Sequence, residues 1–201
     1  MKKLHDFYFL KAKKEGFLAR SVYKLQEVQE KYHIMKSGDL VLDLGAAPGS
    51  WTQYAAKIVE ATGRVIAIDL QPIKCSGENI VTLQQDAFEA LPEGMAPSKG
   101  FQVVLSDMAP RTSGHKELDH LRSMSLVEQA LKTAIQLMAS NGAFFCKLFQ
   151  GKEVPDFVER CKKLFHVVKL IKPKGSRSES VEIFVLCMKK KGDKNTQTTG
   201  E

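Results

Sequence analysis

The sequence predicts a doubly wound α/β domain, built on a mainly parallel sheet of seven strands that ends in an antiparallel hairpin. Three observations support this fold class. Short apolar runs alternate with helical patterns over most of the chain. The first apolar run, residues 40–44, ends in a small-residue turn that leads straight into a helical pattern. The last two strand-like segments are joined by a loop that contains Pro173 and Gly175, with no helical pattern between them.

Each element is predicted from its own local pattern. Two helical patterns, over residues 5–15 and 20–33, are separated by Gly16 and precede the first strand. The predicted strands are residues 40–44, 64–69, 79–86, 101–108, 143–149, 166–171 and 180–188. The predicted helices between strands are residues 51–59, a long amphipathic helix through residues 121–137 that Asn141 and Gly142 end, and residues 154–164.

These patterns divide the chain into a basic helical arm over residues 1–36, one α/β domain over residues 37–189 and a polar tail over residues 190–201. A chain of 201 residues with 43% hydrophobic residues can bury the core of one ordinary domain. The longest apolar runs are far too short to span a bilayer, and the first residues lack the apolar core of a secretion signal. We therefore expect a soluble, cytoplasmic protein that does not contact a membrane.

The four cysteines, Cys75, Cys146, Cys161 and Cys187, show no C-x-x-C spacing, and two of them lie inside strand-like runs. This pattern favours buried reduced thiols over disulfides or a zinc site. We expect no bound metal.

The chain carries a net charge of +7, and its basic residues are clustered. One cluster crowds the N-terminal arm and includes Lys2, Lys3, Lys11, Lys13, Lys14, Arg20 and Lys24. The other crowds a late loop and includes Lys169, Lys172, Lys174 and Arg177. Such clusters favour a nucleic-acid partner over a role in solubility alone. The arm's aromatic residues, Phe7, Tyr8, Phe9 and Phe17, either stack on unpaired bases or pin a short helix to the core.

The turn after the first strand has the spacing D-x-G-A-x-P-G over residues 43–49, which differs from the dinucleotide fingerprint G-x-G-x-x-G. Its small residues let a ligand lie against the backbone at the carboxyl edge of the sheet. The turn resembles motif I of the S-adenosylmethionine-dependent methyltransferases. An acidic residue is expected about twenty residues further on, and Asp69 ends the second strand. The alternative is a turn that binds nothing, but a further acid, Asp86, ends the third predicted strand.

Four charged residues stand where burial is expected. Asp107 ends the fourth predicted strand, Lys147 lies inside the fifth, Glu182 lies near the start of the last, and Lys24 lies on the second helix of the arm. A lysine in a central strand is costly unless a partner or a cleft receives it, although an edge lysine simply reaches water. Asp107 and Lys147 belong to the carboxyl edge that carries the small-residue turn. We therefore predict that the four side chains converge on one cleft.

The chain closely resembles the FtsJ/RlmE family of ribose 2'-O-methyltransferases from about residue 20 to residue 189. The specific motifs are residues 19–25 (ARSVYKL), 43–51 (DLGAAPGSW), 106–110 (SDMAP), 147–151 (KLFQG) and 174–178 (KGSRS) followed by Glu182. The family's catalytic Lys-Asp-Lys-Glu tetrad falls on Lys24, Asp107, Lys147 and Glu182. One departure is Ser50, where many members have glycine. The resemblance implies a Rossmann-like class I fold and S-adenosyl-L-methionine as cofactor.

The resemblance also implies the remaining site residues. The cofactor would contact Asp43, Gly45, Pro48, Gly49, Trp51, Asp69, Asp86 and Asp107. RNA would contact Lys11, Lys13, Lys14, Arg20, Lys174 and Arg177. The implied substrate is a uridine of large-subunit ribosomal RNA, methylated by a monomer on the assembled subunit. A transfer-RNA or cap ribose methyltransferase of the same family is the first alternative, and a non-catalytic RNA-binding module is the second.

Overall fold

The protein is described from a computed structural model, which covers residues 2–110, 113–174 and 180–191, with side chains from residue 7 onward. The helices are α1 Lys2–Lys14, α2 Val22–Tyr32, α3 Ser50–Val59, α4 Lys116–Leu137 and α5 Val154–Leu164. The strands are β1 Leu40–Leu44, β2 Arg64–Asp69, β3 Ile80–Gln84, β4 Phe101–Ser106, β5 Met138–Phe149, β6 Phe165–Ile171 and β7 Glu182–Lys190. In the part of the chain that the structure describes, no helix is long and apolar enough to cross a membrane.

The seven strands form one sheet in the order β3-β2-β1-β4-β5-β7-β6. Strands β1 to β5 pair in parallel, whereas β7 is antiparallel to both β5 and β6. The predicted fold class, including the terminal antiparallel hairpin, is confirmed. Because β7 runs in the opposite direction, its first residue lies at the edge where the parallel strands end, and Glu182 pairs with Phe149 there.

The core lies on both faces of the sheet, which explains why the strands read as nearly continuous apolar runs. On one face, α4 and α5 cover a cluster that includes Leu42 and Phe144. On the other face, α2 and α3 cover a cluster that includes Val41 and Phe145. All four cysteines are buried free thiols, as the sequence predicts.

The predicted boundary between α4 and β5 is wrong. The helix ends at Leu137 and β5 begins at Met138, so Asn141 and Gly142 lie inside the strand. The register between β4 and β5 shifts between Phe101 and Val103, which identifies a bulge at this point. A Cβ at Gly142 would lie 2.9 Å from the backbone oxygen of Gln102. The glycine therefore permits close approach of two strands and does not end the helix.

Helix α2 is joined to the start of the sheet by the buried side chain of Gln29. Its Nε2 donates to the backbone oxygen of Met35 at 2.7 Å, and its Oε1 accepts from the Met35 backbone nitrogen at 2.9 Å. One amide group therefore satisfies both polar backbone groups of a buried residue between α2 and β1. This bond pair fixes the helix that carries Lys24.

Replacing Gln29 by methionine removes both bonds while keeping the side chain's length. We expect Gln29→Met to lower the free energy of unfolding by about 2 kcal/mol, because two buried backbone groups lose their partners. The control is Gln26→Met on the same helix, where the amide donates to the exposed Glu30. This substitution should change the free energy of unfolding by less than about 0.5 kcal/mol. Urea denaturation measures both, and equal effects would contradict this role of Gln29.

Candidate active site

The four charged residues that the sequence singles out meet at the carboxyl edge of the sheet. The Lys147 Nζ lies 2.9 Å from Asp107 Oδ1 and donates to the Asp107 backbone oxygen at 2.5 Å. The same Nζ lies 4.0 Å from Glu182 Oε2, and Glu182 Oε1 lies 2.6 Å from the Lys24 Nζ. The side chains therefore form a continuous chain of alternating charge, Lys24–Glu182–Lys147–Asp107, which we call the ion-pair chain.

Both lysines of the ion-pair chain are buried. Lys24 is 9% exposed and Lys147 is 8% exposed. Removing an ammonium group from water is costly unless carboxylates and hydrogen bonds replace the lost hydration. Here Glu182 contacts both ammonium groups, and Asp107 contacts the second. The cluster is formally neutral, so it can remain buried beside a cleft.

Contacts between α2 and α3 place Lys24 over the sheet. The indole Nε1 of Trp51 donates to the Ser21 backbone oxygen at 2.9 Å, and the hydroxyls of Ser21 and Ser50 lie 3.0 Å apart. The serine that departs from the family's usual glycine therefore joins the two helix starts. The Trp51 ring itself belongs to the core, where it stacks on Phe145 with ring centroids 5.4 Å apart.

The small-residue turn between β1 and α3 requires glycine at two positions. Gly45 has φ +73°, and a Cβ there would overlap the Met108 side chain. Gly49 has φ +116° and stands as the residue before the first turn of α3, and a Cβ there would lie 2.6 Å from Cys75 Sγ. Pro48, just before it, accepts a hydrogen bond at its carbonyl oxygen from the Lys74 nitrogen at 2.9 Å. The loop after β2 thus packs directly on the turn.

A recess opens beside this turn and reaches the ion-pair chain. Its lining residues are Ser21, Asp43, Gly45, Ala46, Ala47, Ser50, Trp51 and Asp107. Among the described residues that line it, the ionisable groups are the two carboxylates of Asp43 and Asp107, so the recess favours a cationic ligand. In the described residues no group of three or more His, Cys, Asp or Glu side chains could hold a metal ion.

Asp43 is fully buried at the floor of this recess. Its Oδ2 accepts a hydrogen bond from Thr52 Oγ1 at 2.7 Å, whereas Oδ1 has no hydrogen-bond partner among the described residues. Burial raises the pKa of the Asp43 carboxyl to about 7. The Thr52 hydrogen bond lowers that pKa, and the neighbouring carboxylates of Asp107 and Asp69 raise it. The unpartnered oxygen is available to accept a donor from a ligand.

The other two strand-end acids differ in their positions. The Oδ2 of Asp69 accepts from the Ala47 nitrogen at 2.9 Å, and its Oδ1 accepts from the Gln71 nitrogen at 2.7 Å. Asp69 therefore lies at the turn, as predicted. Asp86 lies after the edge strand β3, is exposed, and accepts from the Phe88 nitrogen at 3.0 Å. Its strand, β3, is separated from β1 by β2.

The basic residues predicted for RNA lie in two places around α2. Lys13 and Lys14 are exposed at the end of α1, whereas the Lys11 Nζ lies 4.5 Å from the centroid of the Tyr23 ring. The Lys174 nitrogen donates to Glu27 Oε2 at 2.8 Å, which brings the late basic loop beside α2. Arg20 is half-buried just before α2, and the prediction for Arg177 lies outside the described residues.

Two contributors to the site are missed by sequence reasoning. Thr52 is the hydrogen-bond partner of Asp43, and Met108 packs against Gly45. Met108 follows Asp107 directly, so its position next to a strand-end acid is a usable signal. Thr52 gives no such signal, because the sequence of α3 does not reveal which strand residue the Thr52 hydroxyl contacts.

The sheet order, the antiparallel seventh strand and the acidic recess after the first strand together define a class I α/β methyltransferase. Residues 17–190 match the family described as FtsJ-like methyltransferase. The chain therefore belongs to the FtsJ-like methyltransferase family, as its motifs predict.

Similar proteins agree with this assignment. The chain is 45% identical over 195 residues to the ribosomal RNA large subunit methyltransferase E of Desulfatibacillum aliphaticivorans, covering 96% of this chain and 94% of that one. It is 47% identical over 189 residues to the protein of the same name from Syntrophobacter fumaroxidans, covering 92% and 96%. A crystal structure described as a ribosomal RNA methyltransferase from Plasmodium falciparum superimposes with a TM-score of 0.76 at 25% identity, covering 88% of this chain and all of that one.

The raised pKa of Asp43 predicts a pH-dependent contribution to stability. Between its ordinary value of 3.8 and about 7, the folded protein holds this proton and the unfolded chain does not. The contribution is therefore full at acidic pH and is lost as pH rises through about 7. The Asp43→Asn variant lacks this titrating group, so its stability does not carry the same pH dependence. The Tm of the variant minus the Tm of the wild type should therefore rise between about pH 5.5 and 7 and stay level above about pH 8.

Thermal unfolding monitored by circular dichroism measures this difference. Asp156→Asn, an exposed acid in the first turn of α5, is the control and should give a difference that does not vary over the same range. A constant difference for Asp43→Asn as well would contradict the raised pKa.

Proposed function

We propose that the protein transfers a methyl group from S-adenosyl-L-methionine to the 2'-hydroxyl of a uridine in large-subunit ribosomal RNA. It acts as a monomer in the cytoplasm, on the assembled large subunit. The observation that carries the proposal is the ion-pair chain, whose Asp107 also lines the acidic recess. The names of the relatives, which specify ribosomal RNA of the large subunit, support the substrate class.

The residues of the recess fit this cofactor. S-adenosyl-L-methionine carries a sulfonium and an ammonium group, and the recess offers the carboxylates of Asp43 and Asp107 together with the unpartnered Asp43 Oδ1. When bound, the cofactor supplies a methyl group on a positively charged sulfur. The residues proposed to hold it are Asp43, Gly45, Pro48, Gly49, Trp51, Asp69, Asp86 and Asp107.

The ion-pair chain provides what the acceptor needs. A ribose hydroxyl is a weak nucleophile that must be aligned and must lose its proton as the new bond forms. Lys147 either orients this hydroxyl as an ammonium group or, as the neutral amine, accepts its proton and becomes the ammonium. Asp107 fixes the Lys147 Nζ through two contacts. Glu182 lies between the lysines and fixes their separation. Alignment of this kind contributes about 7 kcal/mol or more to lowering a barrier.

Removing the Lys147 ammonium tests this role directly. We expect Lys147→Met to retain cofactor binding within about twofold and to lose at least about a hundredfold in turnover. The assay uses labelled S-adenosyl-L-methionine and large subunits from a bacterial strain that lacks its own enzyme of this family. Digestion to nucleosides then identifies the methylated product.

The matched control is Lys132→Met, an exposed lysine on α4, which should leave turnover unchanged. Full turnover by Lys147→Met would remove the residue from this role. If the wild type bound the subunits but transferred no methyl group, the protein would be an RNA-binding module instead.

The outer face of α1 supports contact with RNA. Tyr8 packs inward on Tyr23, with ring centroids 5.3 Å apart, whereas Phe7 is 57% exposed and Phe9 is 56% exposed. The exposed lysines of the same helix, Lys13 and Lys14, follow these rings. Exposed rings and ammonium groups on one helix suit unpaired bases and their phosphates. We therefore propose that the exposed rings of Phe7 and Phe9 stack on unpaired bases, whereas Tyr8 holds α1 against Tyr23.

The charge of this face predicts a salt-dependent effect. We expect Lys13→Gln combined with Lys14→Gln to raise the KM for large subunits, to leave kcat unchanged and to reduce the slope of log affinity against log salt by about 2. The matched control replaces Lys162 and Lys163 on α5, where two adjacent lysines are also exposed. An equal change of slope in both pairs would show that only net charge matters.

A further inference from the structure

The end of β5 extends beyond its parallel neighbour. The last pairing between β4 and β5 joins Ser106 to Cys146, where β4 ends, but β5 continues to Phe149. Over these last residues β5 still pairs with β7, since Lys147 faces Phe184 and Phe149 faces Glu182. The stretch that carries Lys147 therefore has a strand on only one side, and its other side needs different hydrogen-bond partners.

Side chains of α4 supply those partners. The Phe149 nitrogen donates to Ser123 Oγ at 3.1 Å, and the Phe149 carbonyl oxygen lies 3.1 Å from His120 Nδ1. Ser123 and His120 are buried and lie about one helical turn apart on α4. Because a carbonyl oxygen can only accept, His120 Nδ1 must carry a hydrogen in this contact. Two side chains of α4 thus contact the polar backbone groups of Phe149 that a neighbouring strand would otherwise pair.

The second ring nitrogen of His120 faces a carboxylate. His120 Nε2 contacts Glu153 Oε2, on the residue that precedes α5. Burial raises the pKa of the Glu153 carboxyl, but the hydrogen bond with His120 lowers it. The net effect is a pKa below the usual value. The ring is therefore held at both nitrogens, by the Phe149 carbonyl oxygen at Nδ1 and by the Glu153 carboxylate at Nε2.

The chain makes room for the imidazole at Gly151. A Cβ at this position would overlap the His120 ring, so the loop from β5 to α5 closes over the ring only with glycine there. The last residue of β5, this glycine and the residue before α5 all lie against one side chain of α4.

We propose that His120, held between the Phe149 carbonyl and the Glu153 carboxylate, is a positioning residue for Lys147. It does not contact the reacting atoms. It fixes the end of β5 two residues beyond Lys147, and thereby the distance from the Lys147 ammonium to Asp107. The proposal rests on the role of Lys147 in the proposed function. A misplacement of about 1 Å in a reacting group costs up to about a hundredfold in rate, so a displaced strand end should be visible in kcat.

Two variants disturb the contact in different ways. His120→Leu removes both ring contacts, and Gly151→Ala keeps the imidazole but displaces it. We expect each to lower kcat about tenfold while the KM for large subunits and the dissociation constant of S-adenosyl-L-methionine stay within about twofold. His166→Leu, at an exposed histidine of β6, is the matched control and should leave kcat unchanged. Thermal unfolding confirms that each variant is folded.

Nitrogen NMR of the labelled wild type gives a readout that a packing role would not move. We expect His120 Nδ1 to carry a hydrogen, as its contact with the Phe149 carbonyl oxygen requires. A His120 Nδ1 without hydrogen in the wild type would overturn the proposal even if the substituted proteins failed to fold.

The kinetic outcomes distinguish this inference from the proposed function on which it rests. Loss of turnover in Lys147→Met together with wild-type kcat in folded His120→Leu and Gly151→Ala would overturn the positioning role alone. Full turnover in Lys147→Met would overturn the role of Lys147, and this inference with it.

Discussion

The structure depends on keeping two lysine ammonium groups buried at the carboxyl edge of the sheet. Lys24 and Lys147 are less than a tenth exposed, and an isolated buried ammonium would destabilise the fold or lose its proton. Alternation with the carboxylates of Glu182 and Asp107 makes the burial tolerable. Truncating one member of such a group leaves an uncompensated charge, so the four residues form a single physical unit.

That requirement explains several features of the fold. Glu182 reaches this edge because β7 is antiparallel, and Lys24 reaches it because α2 packs on the same face as α3. The arm therefore shares the core of the domain through residues such as Leu25. The same edge carries the acidic recess, where Asp43 is kept without full hydrogen bonding. A buried carboxylate with an unused acceptor is costly for stability, which is typical of a site that a cationic ligand completes.

The sequence predicts the sheet well because apolar runs such as Leu40–Leu44 are covered on both faces and cannot belong to another element. It fails at Gly142, where a signal typical of a turn instead marks a bulge between strands. The meeting of Lys147 with Asp107 follows from the rule that parallel strands end at one edge. The contact of Lys11 with the Tyr23 ring and the contact of His120 with β5 could not be predicted, because each depends on how whole helices pack.

The most direct test of the ion-pair chain is a double-mutant cycle between its arm and its last strand. Single-turnover methyl transfer is measured for the wild type, Lys24→Met, Glu182→Gln and the double variant, at saturating cofactor and large subunits. If the residues act as one unit, the double variant should be no slower than the slower single variant, within about twofold. Rate losses that multiply in the double variant would show that Lys24 and Glu182 act independently, and would contradict the account.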